Sequence, residues 1–197
     1  MPESATAVAP AAPAAVAAAT TPLPAGTWKV DPVHSSVEFQ VKHLGIATVK
    51  GQFTKFEGTL EVGPEGAVAY GTVQVDSVDT HEPQRDAHLR SADFFEVEQY
   101  PEIGFRSTTI RPTDEDEFEI EGQLSIHGVT RSVTLRATLE GVEPEDHQGN
   151  ARVGVSATAQ INRSDFEMRF NAALGSGNVV VSDKVKILVD VSAVKQA

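Results

Sequence analysis

The sequence feature that most constrains the fold is an alternation of apolar and polar residues that recurs along most of the chain. Successive side chains of a strand point to opposite faces, so a period of two predicts a strand with one buried face. Short turn sequences such as Gly63-Pro64-Glu65-Gly66 and His127-Gly128 separate the alternating segments. The predicted strand segments are residues 28–30, 37–43, 49–62, 68–78, 103–107, 118–126, 133–139, 153–161 and 179–194.

This pattern predicts an all-β domain with about eight or more antiparallel strands joined by hairpins. Closure of such a sheet removes its exposed edges, so an antiparallel barrel is favoured over an open sheet. An eight-stranded barrel is wide enough to hold a small ligand in its interior. Gly51 and Gly58 lie within the predicted segment 49–62, and we interpret them as marking a bulge or a bend.

The alternation stops once, between Thr80 and Ile103, where the sequence predicts one short helix. Asp79 or Thr80 is expected to cap this helix, and Pro83 fits its first turn because no amide donor is needed there. Two interpretations are open. In one, Arg85 and His88 share a helical face beside an apolar site that the pair Phe94-Phe95 helps to form. In the other, Arg85 pairs with Asp86 or Asp93, and the two phenylalanines plug a barrel end.

Length and charge exclude several classes of protein. The chain has 197 residues and a formal net charge of −12, which argues against binding to nucleic acid or to an anionic membrane surface. It has no cysteine, so disulfides and thiolate metal sites are excluded. No apolar run approaches the ~20 residues of a membrane-spanning helix.

Residues 1–25 form a separate segment of mostly alanine, proline, threonine and valine, in which Glu3 is the only charged side chain. This composition predicts a disordered, extended arm, followed by a single domain over residues 26–197. The arm lacks a basic stretch, and Pro10 and Pro13 interrupt its apolar part, so we do not interpret it as a secretory signal. A cytoplasmic protein is therefore expected, and a secreted or periplasmic one only if the start is misassigned.

The sequence carries no recognised catalytic signature, and its six histidines are scattered. His81 and His88 lie seven residues apart, but no carboxylate joins them at a metal-binding spacing, so no metal site is predicted. Nine phenylalanines stand against one tryptophan and two tyrosines. Phenylalanines in irregular segments are typical of the mouth of an apolar pocket, although they also serve as ordinary core at barrel ends.

Several stretches together resemble the YceI-like family of lipocalin-like polyisoprenoid-binding proteins, and the resemblance extends over roughly residues 26–195. The stretch that matches most specifically begins at Arg85 and reads RDAHLRSADFFEV, followed by YPEI at Tyr100. The other matching stretches are WKVDPVHS from Trp28, VEFQVKH from Val37, GQF from Gly51, GQLSIHGVT from Gly122 and NRSDF from Asn162.

The resemblance implies an extended eight-stranded antiparallel lipocalin-like barrel with an internal tunnel for a long isoprenoid chain. The expected ligand is a polyprenyl phosphate or an isoprenoid quinone. A homodimer is compatible with the family, and no catalysis, cofactor or metal is expected. The residues that we expect to contact the lipid are His34, Phe39, Val41, Phe53, Arg85, His88, Phe94, Phe95, Phe105, Phe166 and Phe170.

The leading hypothesis is a binding and carrier protein, with Arg85, His88 and His34 as donors to the lipid head group beside an apolar wall. One alternative is an enzyme or redox accessory that acts on the lipid, with His88 or Asp86 as acid or base. Another is a stress-linked protein whose cavity is incidental.

Overall fold

The structure is a computed structural model that describes residues 23–172 and 179–197, and it consists mainly of antiparallel strands. Within these residues a single α-helix, α1 (Pro83–Arg90), interrupts the succession of strands. The strands are β1 (Gly26–Val30), β2 (Ser36–His43), β3 (Ala47–Phe53), β4 (Phe56–Gly63), β5 (Gly66–Gln74), β6 (Val78–Asp79), β7 (Glu102–Pro112), β8 (Glu117–Ile126), β9 (Val129–Glu143), β10 (Arg152–Asn162) and β11 (Val181–Lys195).

The strands close into an eight-stranded barrel when two bent strands are counted as continuous. Both β1 and β2 pair with β11, and they are separated by the bend at Pro32–His34. Similarly, β3 pairs with β2 while β4 pairs with β1, so β3 and β4 form the second bent strand. The remaining neighbours follow in the order β4, β5, β7, β8, β9, β10 and β11. The predicted fold class is confirmed.

The turns follow from local backbone chemistry. His127 and Gly128 both have positive φ, 51° and 73°, which is the conformation that a two-residue hairpin requires. The acidic tip between β7 and β8 is exposed, as its four consecutive carboxylates predict. In the described part of the chain, no helix is long and apolar enough to cross a membrane.

One end of the barrel is closed by Trp28, which is the largest fully buried side chain among the described residues. It packs with Leu23, Val153 and Ala193, and its indole Nε1 donates a hydrogen bond to the carbonyl oxygen of Pro24 at 3.2 Å. Leu23 is 8% exposed. The last residues of the predicted arm therefore contact the core, whereas residues 1–22 lie outside the described part of the chain.

Because Leu23 packs in the core, we expect it to contribute to stability, whereas residues 1–22 are expected to contribute little. Deleting residues 1–22 is expected to leave the melting temperature unchanged, since their composition offers little to bury. Changing Leu23 to alanine in the full chain is expected to cost about 2–3 kcal/mol of unfolding free energy, because it removes buried apolar surface. Thermal unfolding of the two variants beside the full chain tests this. A Leu23→Ala protein as stable as the parent would contradict the packing seen here.

The bend between β1 and β2 is fastened by an ion-pair network. The Arg152 guanidinium donates from Nη1 to Asp31 Oδ2 at 2.8 Å and from Nε to Asp146 Oδ2 at 2.6 Å. Arg152 holds the pKa of Asp31 at about 2, helped by His34. It also holds the pKa of Asp146 at about 2, helped by the backbone amide of Asn150. The network ties the bend to β10 and to the loop before it.

These lowered pKa values predict a loss of stability in acid. In the unfolded chain both carboxyls have a pKa of about 3.9, so the folded state resists their protonation. The stabilisation is complete above that value and is lost as the pH falls from about 4 to about 2. We expect Arg152→Met to lower the melting temperature at neutral pH. Between about pH 4 and about pH 2, the melting temperature of this variant should fall less steeply than that of the wild type. Thermal unfolding from pH 2 to 7 checks it, and parallel curves for the two proteins would refute it.

Candidate functional site

The barrel encloses an apolar cavity of about 390 Å³ that extends from the Trp28 end to the opposite end. Its length follows from β10, where five alternate residues from Val153 to Ile161 all line it. Eight residue steps at about 3.3 Å correspond to about 26 Å. The cavity is therefore long and narrow, and its lining comes from nearly every strand. Among the described residues, the charged residues that border the cavity are Glu38, Glu57 and Arg163.

Six of the residues proposed as lipid contacts line this cavity, and they come from β2, β3, β7 and the segment after α1. Val73 and Leu124, which the alternation also places on the inner face, line it as well. Whether these residues contact a ligand stays a prediction. The six are Phe39, Val41, Phe53, Phe94, Phe95 and Phe105.

Two glycines make room for two of these phenylalanine rings. Phe39 lies directly opposite Gly51 in the β2–β3 pair, and a Cβ at Gly51 would overlap its ring. A Cβ at Gly122 in β8 would overlap the ring of Phe105 in the same way. The β2–β3 register runs without interruption through Gly51, so the interpretation of Gly51 as a bulge or bend is wrong. Position 51 requires glycine because the ring of Phe39 packs directly against its backbone.

The second end of the barrel is occupied by residues 83–101, which we call the cover segment. Leu89, Phe94 and Phe95 of this segment all line the cavity. The ring of Phe95 lies edge-on to that of Phe53, with 5.9 Å between centroids. Leu89 and Phe95 are further linked by a backbone hydrogen bond of 3.0 Å. The cover segment thus supplies apolar wall to the cavity, as one of the two sequence-based interpretations expected.

Helix α1 begins differently from the prediction. Its N-cap is Glu82, whose carboxylate accepts from the amide of Gln84 at 3.0 Å. The buried residue of the helix is Asp86, which accepts from the Thr80 amide and hydroxyl at 2.9 and 2.6 Å. Neither Asp79 nor Thr80 is the cap, because Thr80 is folded onto the side of the helix instead.

Arg85 is exposed and is absent from the cavity lining. Its Nε and Nη2 donate to the hydroxyl and carbonyl of Thr80 at 2.8 and 2.9 Å. The geometry therefore favours the structural account of this arginine over the head-group account. The predicted carboxylate partner is replaced by Thr80, because Asp86 is itself directed to Thr80.

His88 packs against Phe94 and Phe170, and of these three residues only Phe94 lines the cavity. Its Nε2 lies 2.8 Å from Asp93 Oδ2, and its side chain is 43% exposed. The ring stands edge-on to Phe94 and Phe170, with centroid distances of 5.0 and 4.8 Å. His88 and Phe170 therefore support Phe94 from behind, and the geometry gives them no direct contact with a ligand in the cavity.

Two further predicted contacts also lie off the lining. Phe166 is 1% exposed and packs in a core cluster with Ile126 and Met168. His34 belongs to the β1–β2 bend, where its Nδ1 lies 2.8 Å from Asp31 Oδ2 and its side chain is 65% exposed. The bend turns His34 toward solvent, so its proposed role as a head-group donor has no support in the geometry.

Sequence reasoning missed Arg163, which lines the cavity near Phe94 and Met168 and is only 5% exposed. Its side chain donates to the carbonyls of Ser182, Met168 and Val181 at 3.0, 2.7 and 3.3 Å. The signal was present in the alternation. Residues 153 to 161 place every odd-numbered side chain inward, and one further step of two reaches Arg163.

The fold and the cavity together define a closed antiparallel β-barrel with an elongated apolar interior. Such a cavity offers burial to a long apolar molecule and few directional partners along its length. A family model described as the YceI-like domain matches residues 28–193. The Escherichia coli protein YceI is 37% identical over 177 residues, which span 87% of this chain and 88% of that protein. The chain belongs to the YceI-like family.

Solved structures agree with the assignment. The Campylobacter jejuni YceI protein is 28% identical with a TM-score of 0.67, over 79% of this chain and 90% of that one. Burkholderia cenocepacia BcnA shares the fold at 23% identity and a TM-score of 0.69, over 83% and 98%. A polyisoprenoid binding domain from Saccharophagus degradans shares it at 15% identity and a TM-score of 0.67, over 86% and 98%.

Proposed function

We propose that this protein binds a long-chain isoprenoid lipid inside the barrel and acts as its carrier. The observation on which this rests is the cavity, which is apolar along about 26 Å of β10. An isoprenoid presents only methyl-branched apolar surface, and its burial contributes about 25 cal/mol per Å² without any directional partner. A long, narrow apolar interior fits that chemistry better than it fits a compact polar substrate.

One protein that shares this fold supports the same class of ligand. The domain from Saccharophagus degradans that shares this fold is described as polyisoprenoid-binding. The carboxylate and imidazole considered as acid and base do not reach the cavity, since Asp86 is bonded to Thr80 and His88 to Asp93. A binding role, with a polyprenyl phosphate or an isoprenoid quinone as candidate ligand, is therefore favoured over chemistry performed by these two residues.

Native mass spectrometry of the protein purified under mild conditions tests the proposal. We expect a species heavier than the polypeptide by the mass of one lipid, which solvent extraction removes and incubation with an isoprenoid restores. The recovered lipid should be chemically unchanged, as carriage requires. An empty protein that also fails to take up any isoprenoid would refute the binding function, and a lipid converted to a product would refute a purely carrier role.

A further inference from the structure

Arg163 is a buried cation at the cover-segment end of the cavity, and the described part of the chain gives it no ion-pair partner. Its three hydrogen bonds all go to backbone carbonyl oxygens. The carboxylate that acts on the pKa of Arg163 is Asp183, which itself accepts hydrogen bonds from the amide and hydroxyl of Ser164. Residues 173–178, whose sequence is ALGSGN, include no acidic residue that could serve.

Two other arginines of the protein have carboxylate partners that compensate their positive charge. The pKa of Arg111 is raised by Glu119 and Glu121, and that of Arg152 is raised by Asp31 and Asp146. The pKa of Arg163 is instead lowered by burial, against a weaker opposing effect of Asp183. A buried guanidinium that keeps its charge among carbonyls alone favours an additional anion nearby.

Within the described residues, Arg163 has N–H groups that form no hydrogen bond. A guanidinium carries five N–H groups, and the hydrogen bonds to Ser182, Met168 and Val181 use three of them. The guanidinium carbon lies 5.9 Å from the ring centroid of Phe94, which also lines the cavity. Cation and apolar wall thus meet at one end of the cavity, while Trp28 closes the other.

The geometry points to Arg163 as the head-group site: the lipid is an anionic amphiphile whose phosphate or carboxylate oxygen accepts from Arg163 while its chain extends toward Trp28. This inference rests on the proposed function, because it specifies the head group and the direction of the lipid in the same cavity. Guanidinium binds such anions through two N–H groups at once, so a phosphate is favoured over a neutral alcohol or quinone oxygen.

Two ligands with the same tail test the head group. Geranylgeranyl phosphate and geranylgeraniol are titrated into delipidated wild-type protein by calorimetry. We expect the phosphate to bind at least tenfold more tightly, a difference of about 1.4 kcal/mol. Equal affinities would overturn the inference while leaving the proposed function intact. Binding of neither ligand would instead mean that the proposed function fails.

Arg163→Met then assigns the preference to this side chain. The variant keeps the apolar part of the side chain, so its affinity for geranylgeraniol should stay the same. Its affinity for geranylgeranyl phosphate should fall until the two ligands bind about equally well. Arg85→Met is the matched control, since it removes an exposed guanidinium from the same end of the barrel and should keep the full preference. A tenfold preference retained in folded Arg163→Met protein would overturn the inference.

A crystal structure of the wild-type complex with geranylgeranyl phosphate covers the case in which Arg163→Met does not fold. We expect a phosphate oxygen within hydrogen-bond distance of Arg163. A phosphate located at the Trp28 end, or at any other group, would overturn the inference.

Discussion

Replacing Trp28 with alanine is expected to lower the free energy of unfolding by about 3–5 kcal/mol, a large part of the stability of a domain this size. The indole is fully buried and packs with Leu23, Val153 and Ala193 at the closed end of the barrel. It also lies on β1, whose pairing with both β4 and β11 completes the closure. Truncation would remove buried apolar surface and leave a hole that strands held on both sides cannot easily fill.

Trp28→Phe is the matched control, because it keeps an aromatic ring and removes the hydrogen bond to Pro24. Its cost should be clearly smaller than that of Trp28→Ala. The protein has a single tryptophan, so unfolding in denaturant should be followed by circular dichroism rather than fluorescence. A loss below about 1 kcal/mol for Trp28→Ala, within the range of an ordinary surface substitution, would contradict the role assigned to this end of the barrel.

The strands could be predicted because each has one buried face, and a buried face imposes a period of two on the sequence. Phe39, Phe53 and Phe105 lie in predicted strands and were expected to contact a ligand inside the barrel, and all three line the cavity. The bends that join β1 to β2 and β3 to β4 could not be predicted in this way. They depend on which strand lies beside which, and this pairing connects residues far apart in the chain.

The helix shows why the positions of Arg85 and His88 were less predictable. Periodicity places Arg85 and His88 on one face, and an apolar site on that face was a reasonable expectation. The structure buries Asp86 and directs Leu89 to the cavity instead. Asp86 is buried because Thr80 supplies two donors to its carboxylate, and no pattern of hydrophobicity reveals such a partner.

Arg163 shows the opposite case, in which the signal existed but conflicted with residue type. The alternation of β10 continues to Arg163, but arginine is seldom buried without a partner. Three backbone carbonyls make the burial tolerable here, and backbone positions are not visible in a sequence pattern.

Replacing Phe105 with aspartate is expected to abolish lipid uptake and to cost several kcal/mol of unfolding free energy. The Phe105 ring lies over Gly122 and lines the cavity, and the only cationic residue in the described lining is Arg163. An unpaired charge there loses its hydration and gains nothing in return. A lipid chain entering the cavity would also have to displace the water that hydrates this charge, which opposes uptake.

Gln123→Asp is the matched control, because Gln123 is exposed on the neighbouring strand β8 and its amide donates a hydrogen bond to the hydroxyl of Ser132. This variant adds the same side chain within the same pair of strands and should keep both uptake and most of the stability. Isoprenoid uptake by native mass spectrometry and thermal unfolding are measured for both proteins. Normal uptake by a folded Phe105→Asp protein would refute the placement of the lipid along this wall.

Acidification separates the effect of charge from that of lost ring volume. Burial raises the pKa of a carboxyl group, so the introduced side chain should become neutral at a pH well above its ordinary value of about 3.9. Lowering the pH toward 5 should therefore restore part of the stability of Phe105→Asp relative to wild type, above the range in which Asp31 and Asp146 are protonated. A deficit that does not change with pH would mean that the missing ring, rather than the buried charge, causes the loss.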